Sequence, residues 1–589
     1  LDSHDEIVRK ATCTHTSDTL NFKYSLEEAG VGNVFVGKGY NVIYDQRTAR
    51  GDCCGLLFTD CSQPEIVGYH ICGTTSSSPK GNCQEITSGI IEEHLKLLDE
   101  CSEMPTMNVA HCLESQLDDS QGEIHRLCPS RYLASTDGET VTPIQAICSI
   151  PGSGPRRMSV TKTPFYDDFL KEGKCVDIWD IPPSKARRDD HTKSPWYNGI
   201  KEMNALENEF YFGEICDVKR HLTMRLTANI DLYKESGGVC EPLNDCDAVN
   251  GVPGTYGLDG IRMSTAAGYR YGKSKEAHLS KTTHPYIFKD YVYEDVRQFE
   301  QLALQGKRGF NQLNANLKDE ALKRTKCAEY RTRIFFSDEL HLVILVKKYF
   351  GPVMAYLLTF PEMASCAIGL DPGSFDFDKL FRHLTDDGSI PEENCVAFDF
   401  KAYDKTLPEN ITKAAWGILL NIARVMGYSD DAICIMKGII EEKTCPFVRY
   451  NGTLLYIPGT HTSGNGATAT IGSLIGLMLL CMGFKHASGR MPNESELRSV
   501  HLGDDAVAMV RDRSSGFDFL TFKNYLGKKG ITITLPDKSM DEERFVGLRD
   551  YDFLSRHFVF CEDRNSIIGQ LGRNSIFKGL LWYLPSSVA

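Results

Sequence analysis

The chain has 589 residues, 41% of them apolar, and carries 65 Lys and Arg against 79 Asp and Glu, a net charge of −14. That length allows three or four domains, or one large domain with an appendage, and the acidic balance excludes a protein that coats nucleic acid by bulk charge. Any such contact must run through a local basic channel, and the 21 cysteines, odd in number and without recurring zinc spacing, fit reduced cytosolic thiols better than a disulfide scaffold.

In chain order, Leu1-Asp2-Ser3-His4-Asp5-Glu6 has no signal-peptide character and no initiator Met, as expected of a processed product or a fragment. Residues 1–100 read as β-rich, with strand-like runs such as Gly32–Val36, Tyr40–Tyr44, Gly55–Phe58 and Ile66–His70 between turn residues. Gly51-Asp52-Cys53-Cys54-Gly55 sets a thiol among glycines, whose N–H groups can face a reacting carbonyl. Gly68-Tyr69-His70-Ile71-Cys72-Gly73 then places a histidine at the end of a strand. In this order and spacing the two segments resemble the nucleophile loop and the glutamine-recognising strand of the chymotrypsin-like cysteine proteases of picorna-like viruses. The resemblance implies that Cys53 is the nucleophile and that His70 lines the glutamine pocket. It covers only the second β-barrel of such a protease, and a catalytic thiol needs a histidine base that lies upstream in that family. The expectation is therefore an incomplete, inactive protease half.

Residues 101–155, rich in Ser, Asp, Gly and Pro, read as a linker or polyprotein junction. Gln121-Gly122 is the kind of bond these proteases cut. From 156 to 589 the chain reads as one mixed α/β unit. Ser264-Thr265-Ala266-Ala267-Gly268-Tyr269 is a small-residue turn open to close backbone approach. Residues 307–333 hold eight Lys or Arg and three Asp or Glu; such a run is usually a solvated face. Here Lys318, Lys326, Arg331 and Arg333 lead into the strand-like Ile334-Phe335-Phe336, as a basic finger over a phosphate-bearing substrate would.

Carboxylates come next. The apolar strand Cys395-Val396-Ala397-Phe398 ends in Asp399, with Asp404 five residues on; an acid ending a buried strand is unusual unless it meets a cation. A polar loop, Gly459 to Thr468, runs into the apolar stretch Ile471–Phe484, which is too short to span a bilayer and reads as a buried helix. Val500-His501-Leu502 and Ala506–Val510 flank Gly503-Asp504-Asp505, a hairpin presenting two carboxylates at its tip. Alone, this is an ordinary surface turn. With Asp399 beside it, the set fits nucleotidyl transfer, in which two metals about 3.5–4 Å apart stabilise the attacking and leaving oxygens. Mg²⁺ takes a few carboxylates together with phosphate oxygens and water.

From about 260 to 558 these segments, in this order, resemble the RNA-dependent RNA polymerases of picorna-like positive-strand RNA viruses, nearest to the dicistrovirus and iflavirus groups. The resemblance implies an α+β right-hand polymerase with fingers, a palm built on an antiparallel sheet and a truncated thumb, preceded by the β-barrel half of the protease. It implies that Ser264, Thr265, Gly268 and Tyr269 belong to a template-entry motif, and that Lys318, Lys326, Arg331 and Arg333 hold the triphosphate. Asp399, Asp504 and Asp505 would ligate two Mg²⁺ or Mn²⁺ ions, while Asp404 would sense the ribose 2′-hydroxyl beside the nucleotide-selecting Ser463, Gly464 and Thr468. Lys538, in Pro536-Asp537-Lys538, would protonate the leaving pyrophosphate, and Arg556 would sit in the Phe553–Phe558 primer hairpin.

Four departures stand out: Leu322 for a frequent Arg, Gly472 for the Asn that usually joins Asp404 at the ribose, Leu502 for a Tyr, and Ser555 for a Lys. The expected partners are an RNA template and primer, nucleoside triphosphates and a viral replication complex, with the priming mode, protein primer or none, left open. No membrane span is expected, and the place is the host cytoplasm at membrane-associated complexes. Other readings are a cysteine endopeptidase, a non-catalytic RNA-binding scaffold and a reverse transcriptase. The Ser463–Thr468 loop and the 318–333 stretch favour RNA synthesis over the last.

Overall fold

The computed structural model describes strands between residues 11 and 85 and the chain from 144 to 585, except 151–157, 174, 188–189, 191–192, 204–209, 310, 460, 463–465 and 537–542. The chain divides into two compact units, Leu1–Thr106 and Met107–Ala589.

The first unit is β-structure, as its turn-punctuated sequence predicts. Five strands form an antiparallel sheet in the order Ala11–Thr16, Gly39–Tyr44, Lys80–Glu85, Ile66–Gly73, Leu56–Phe58. Leu20–Leu26 and Gly30–Val36 pair as a separate hairpin. His70 lies within the Ile66–Gly73 strand, in register with Cys83. Cys53 lies outside the described residues, as does the Gln121-Gly122 bond.

In the second unit, a five-stranded sheet runs in the order Ile334–Ser337, Gln312–Leu317, Phe447–Tyr450, Thr453–Tyr456, Gln145–Ser149. Its last strand corrects the expected linker: Gln145–Ser149 pairs antiparallel with Thr453–Tyr456, and Ile144 and Cys148 are buried. Five residues that draw their hydrogen bonds from a hairpin about 300 positions away leave no local signal to separate them from the polar run before them.

The sheet that positions the site has four antiparallel strands, in the order Leu497–Leu502, Asp505–Val510, Cys395–Phe400, Ile533–Thr534. Beneath it runs Thr468–Ser488, a helix apolar on nearly all sides, which is the pattern of a helix buried all round. It ends where Gly489 takes φ 81°, the left-handed cap that glycine adopts without a Cβ penalty. This helix and Leu340–Thr359 are each long and apolar enough to cross a membrane, and both are mostly buried inside the protein. The helix exceeds the apolar run read from sequence because Thr468 to Thr470 before it and Lys485 to Ser488 after it also belong to it.

Candidate active site

The strand Cys395–Phe400 is buried along its length except at Asp399, which is half-buried. Its neighbour pairs Phe398 with Ala506, so Asp505, the next residue toward the tip, comes level with Asp399. Leu502 pairs with Asp505, leaving Gly503-Asp504 as a two-residue turn. Gly503 has φ 65°, and a glycine in this first turn position gives the twist that a tight hairpin needs. Asp505 therefore begins the strand and Asp504 sits at the tip.

Like charges crowd this corner. Loss of water, then the carboxylates of Asp504, Asp399 and Asp552, push Asp505 up to about 7, with Arg333 opposing them. Asp404 is also raised, chiefly by burial, while Lys405 and Arg333 pull it down. Arg333 thus bears on two of the predicted carboxylates at once. It also lies 3.6 Å from Glu320, which Lys318 approaches at 3.8 Å. Arg331 pairs instead with Glu329 at 3.3 Å, and Lys326 is exposed on the short helix Arg324–Ala328. Leu322, the departure from Arg, is buried and pairs with Asp180 in a two-stranded ladder. The neighbouring Arg324 is held 2.5 Å from Asp177.

Asp404 sits in the short helix Tyr403–Thr406, which starts from Ala402 at φ 52°. The Asp404 carbonyl accepts from the His461 backbone N–H at 2.7 Å. Thr468 opens the long helix, its hydroxyl 3.4 Å from the Thr462 carbonyl. Ser463, Gly464 and Lys538 lie outside the described residues.

In the predicted template-entry turn, Gly268 has φ 91°, and a Cβ there would lie 2.6 Å from the Glu339 Cα. The Thr265 hydroxyl accepts from Lys275 Nζ at 2.5 Å. Tyr269 is partly exposed, with the Arg449 guanidinium 3.3 Å from its ring centroid, so one face of this predicted RNA contact is already stacked. Ser264 is exposed in the same turn. In the predicted primer hairpin, Phe553 pairs with Arg556 across Leu554-Ser555, both at φ 58°. Arg556 donates to the Gly569 carbonyl at 2.7 Å.

Among the described residues no three His, Cys, Asp or Glu side chains form a ready-made metal cluster. The donors still fit hard divalent cations. The repulsion that raises Asp505 is what a cation relieves, and such ions complete their shells with phosphate oxygens and water. Asp399, Asp504 and Asp505 are the residues that would hold them.

A sequence profile for viral RNA-dependent RNA polymerases matches residues 237–588, more than half of the chain. The chain belongs to this family. It is 22% identical over 579 residues to the replicase polyprotein of cricket paralysis virus, covering 92% of this chain and 31% of that protein. With the genome polyprotein of human hepatitis A virus genotype IIIB it shares 27% over 351 residues, covering 57% and 15%. The chain therefore spans about a third or less of the length of these relatives. Among solved structures it is similar in fold to the Sicinivirus 3Dpol RNA dependent RNA polymerase, with a TM-score of 0.60, 18% identity, and coverage of 75% of this chain and 87% of that one. The fold is that of a right-hand polymerase, and the four-stranded sheet that carries Asp399 and Asp505 has the antiparallel form expected of a palm.

Several residues that support the polymerase site went unread in the sequence. Ser473 accepts from the Gly503 N–H at 3.0 Å and donates to the Ala469 carbonyl at 2.8 Å, with the His501 carbonyl 3.2 Å away. One hydroxyl thereby ties the Thr468–Ser488 helix to the Gly503-Asp504 turn. A Cβ at Gly472 would lie 3.0 Å from the Gly503 Cα, and one at Gly476 would lie 2.7 Å from His501 Nδ1. Glycines four apart on an apolar helix are a legible cue for close approach on one face. What they approach is not legible.

Proposed function

We propose that this chain catalyses template-directed synthesis of RNA from nucleoside triphosphates, as part of the replication of a positive-strand viral RNA. The observation that carries this reading is the juxtaposition of Asp399 with the Asp504-Asp505 hairpin, with Arg333 bearing on both Asp505 and Asp404. Bound Mg²⁺ or Mn²⁺, two ions in this reading, would neutralise charge on the attacking 3′-oxygen and the leaving pyrophosphate. Asp399 and Asp504 would be the firmest ligands and Asp505 the more replaceable one. Arg333 and Lys318, which share Glu320, would orient the triphosphate together with Lys326 and Arg331 of the same stretch. Asp404 would accept from the ribose 2′-hydroxyl beside Ser463, Gly464 and Thr468. Lys538 would give its ammonium proton to the departing pyrophosphate oxygen.

Ser264, Thr265, Gly268 and Tyr269 would border the entering template, and Arg556 would sit beside the primer. Residues 1–100 would be the second barrel of a cysteine protease, with Cys53 and His70 in their family roles and without activity of their own. The working place would be a membrane-associated replication complex in the host cytoplasm. A non-catalytic scaffold would tolerate loss of the three carboxylates, and all three are present.

The test is incorporation of a labelled ribonucleotide on primed homopolymeric RNA templates. Incorporation should follow the complementary base alone; equal incorporation without template would contradict the proposal.

A further inference from the structure

Three consecutive residues around the predicted ribose sensor are each tied to a different part of the protein. Tyr403 donates to the Gly472 carbonyl at 2.6 Å, and Lys405 reaches Glu202 at 2.7 Å. Between them, the Asp404 carbonyl is held by the His461 N–H at 2.7 Å. The His461 ring is buried, with Nε2 2.8 Å from the Thr468 carbonyl. A carbonyl can only accept, so Nε2 carries the proton. Burial holds His461 down at about 4, so the ring is neutral near pH 7. The loop carrying Asp404's tether is therefore clamped to the first turn of the Thr468–Ser488 helix.

Gly472 lies against the same ring. A Cβ there would sit 3.4 Å from His461 Nε2 and 3.0 Å from the Gly503 Cα. That Cβ is already tight against the turn and touches the ring, so the three further heavy atoms of an Asn side chain would press on one or the other. The imidazole occupies the space that a longer residue at 472 would need, and its own backbone holds Asp404.

We propose that His461 is the positioning residue for ribose selection in this polymerase: by filling the space above Gly472 and clamping its loop to Thr468, it fixes Asp404 where a 2′-hydroxyl can be read. This rests on the polymerase reading above. A site built to hydrogen-bond a hydroxyl rejects the analogue lacking it far more strongly than a loose one, and small displacements of such groups are costly.

The experiment compares GTP with dGTP in primer extension by the full chain on a primed poly(C) template, with thermal melting of every variant. His461→Ala should reduce the GTP-over-dGTP ratio of kcat/KM by about tenfold or more, mainly through KM for GTP. His461→Gln, whose amide can donate to the Thr468 carbonyl, should restore most of the ratio. Gly472→Asn should slow both substrates, and His461→Ala added to it should recover part of that loss by vacating the space. A folded His461→Ala chain with the parental ratio would overturn the proposal, as would Gly472→Asn with parental kinetics. If the parental chain incorporates no GTP, the polymerase reading fails and this inference falls with it.

Discussion

Asp505 faces three other carboxylates with Arg333 as the opposing charge, so its protonation is linked to stability. Its folded pKa of about 7 lies above the ordinary value of 3.8, so the folded state binds the proton more tightly than the unfolded one. Stability then falls as pH rises from about 4 through 7. The metal-free chain should melt at higher temperature at pH 6 than at pH 8 on this account, and Asp505→Asn should flatten that difference. An unchanged slope in the variant would remove Asp505 as its source. Ser473 is a second residue-scale test. Ser473→Ala leaves the Gly503 N–H without its partner at 3.0 Å, a loss of about 1–3 kcal/mol if water cannot replace it. Denaturant unfolding should register that loss together with slower extension. The carboxylates were legible because an acid ending an apolar strand contradicts its surroundings. Ser473 and His461 were not, because their roles depend on how a helix and a hairpin far apart in sequence meet.

At the scale of elements, the five-stranded sheet is pinned by charges taken out of water. Lys443, on the helix Asp430–Thr444, reaches both Asp338 oxygens at 2.7 and 2.8 Å, and both side chains are fully buried. Asp338 also bears on Lys275, which holds the Thr265 hydroxyl of the predicted template-entry turn. Lys443→Met should cost about 3–5 kcal/mol because it strands a buried carboxylate. Asp338→Leu added to it should recover part of that in urea unfolding, and equal losses in the single and double variants would contradict the pairing. Gly268→Ala should also destabilise, since φ 91° is strained for alanine and its Cβ would meet the Glu339 backbone. The hairpin at 503–505 was legible to within a residue, through strand alternation and a glycine turn. The strand Gln145–Ser149 was not, because its partner strand supplies all that makes it a strand.

Over the second unit, residues near 580 return to pair with a strand near residue 161. Trp582-Tyr583 pairs with Thr161-Lys162, and the Trp582 indole N–H donates to Asp177 at 3.0 Å. Asp177 also accepts from Tyr166 at 2.5 Å and from Arg324 in the basic stretch at 2.5 Å. Trp582 packs with Val160, Tyr166, Trp179 and Ala321, so this segment buttresses Arg324 and the basic stretch around it. Trp582→Ala should cost about 3–5 kcal/mol and weaken triphosphate binding more than Tyr583→Ala does, as read by melting and by nucleotide titration. Composition required that a chain of net charge −14 meet any nucleic acid through a local basic patch, and residues 307–333 offered one in the sequence. Its buttress was not visible there, because a single aspartate joins segments about 150 and 400 residues away.

The central claim is the proposal that Asp399, on one strand, and Asp504, at the tip of the neighbouring hairpin, serve RNA-templated nucleotidyl transfer. Extension of an RNA primer by the full chain, with Mg²⁺ or Mn²⁺ and with EDTA, should be measured for the parent, Asp399→Ala and Asp504→Ala. The account predicts divalent-dependent extension in the parent and none detectable in either variant, while both remain folded by circular dichroism. Extension at the parental rate by either variant would contradict it.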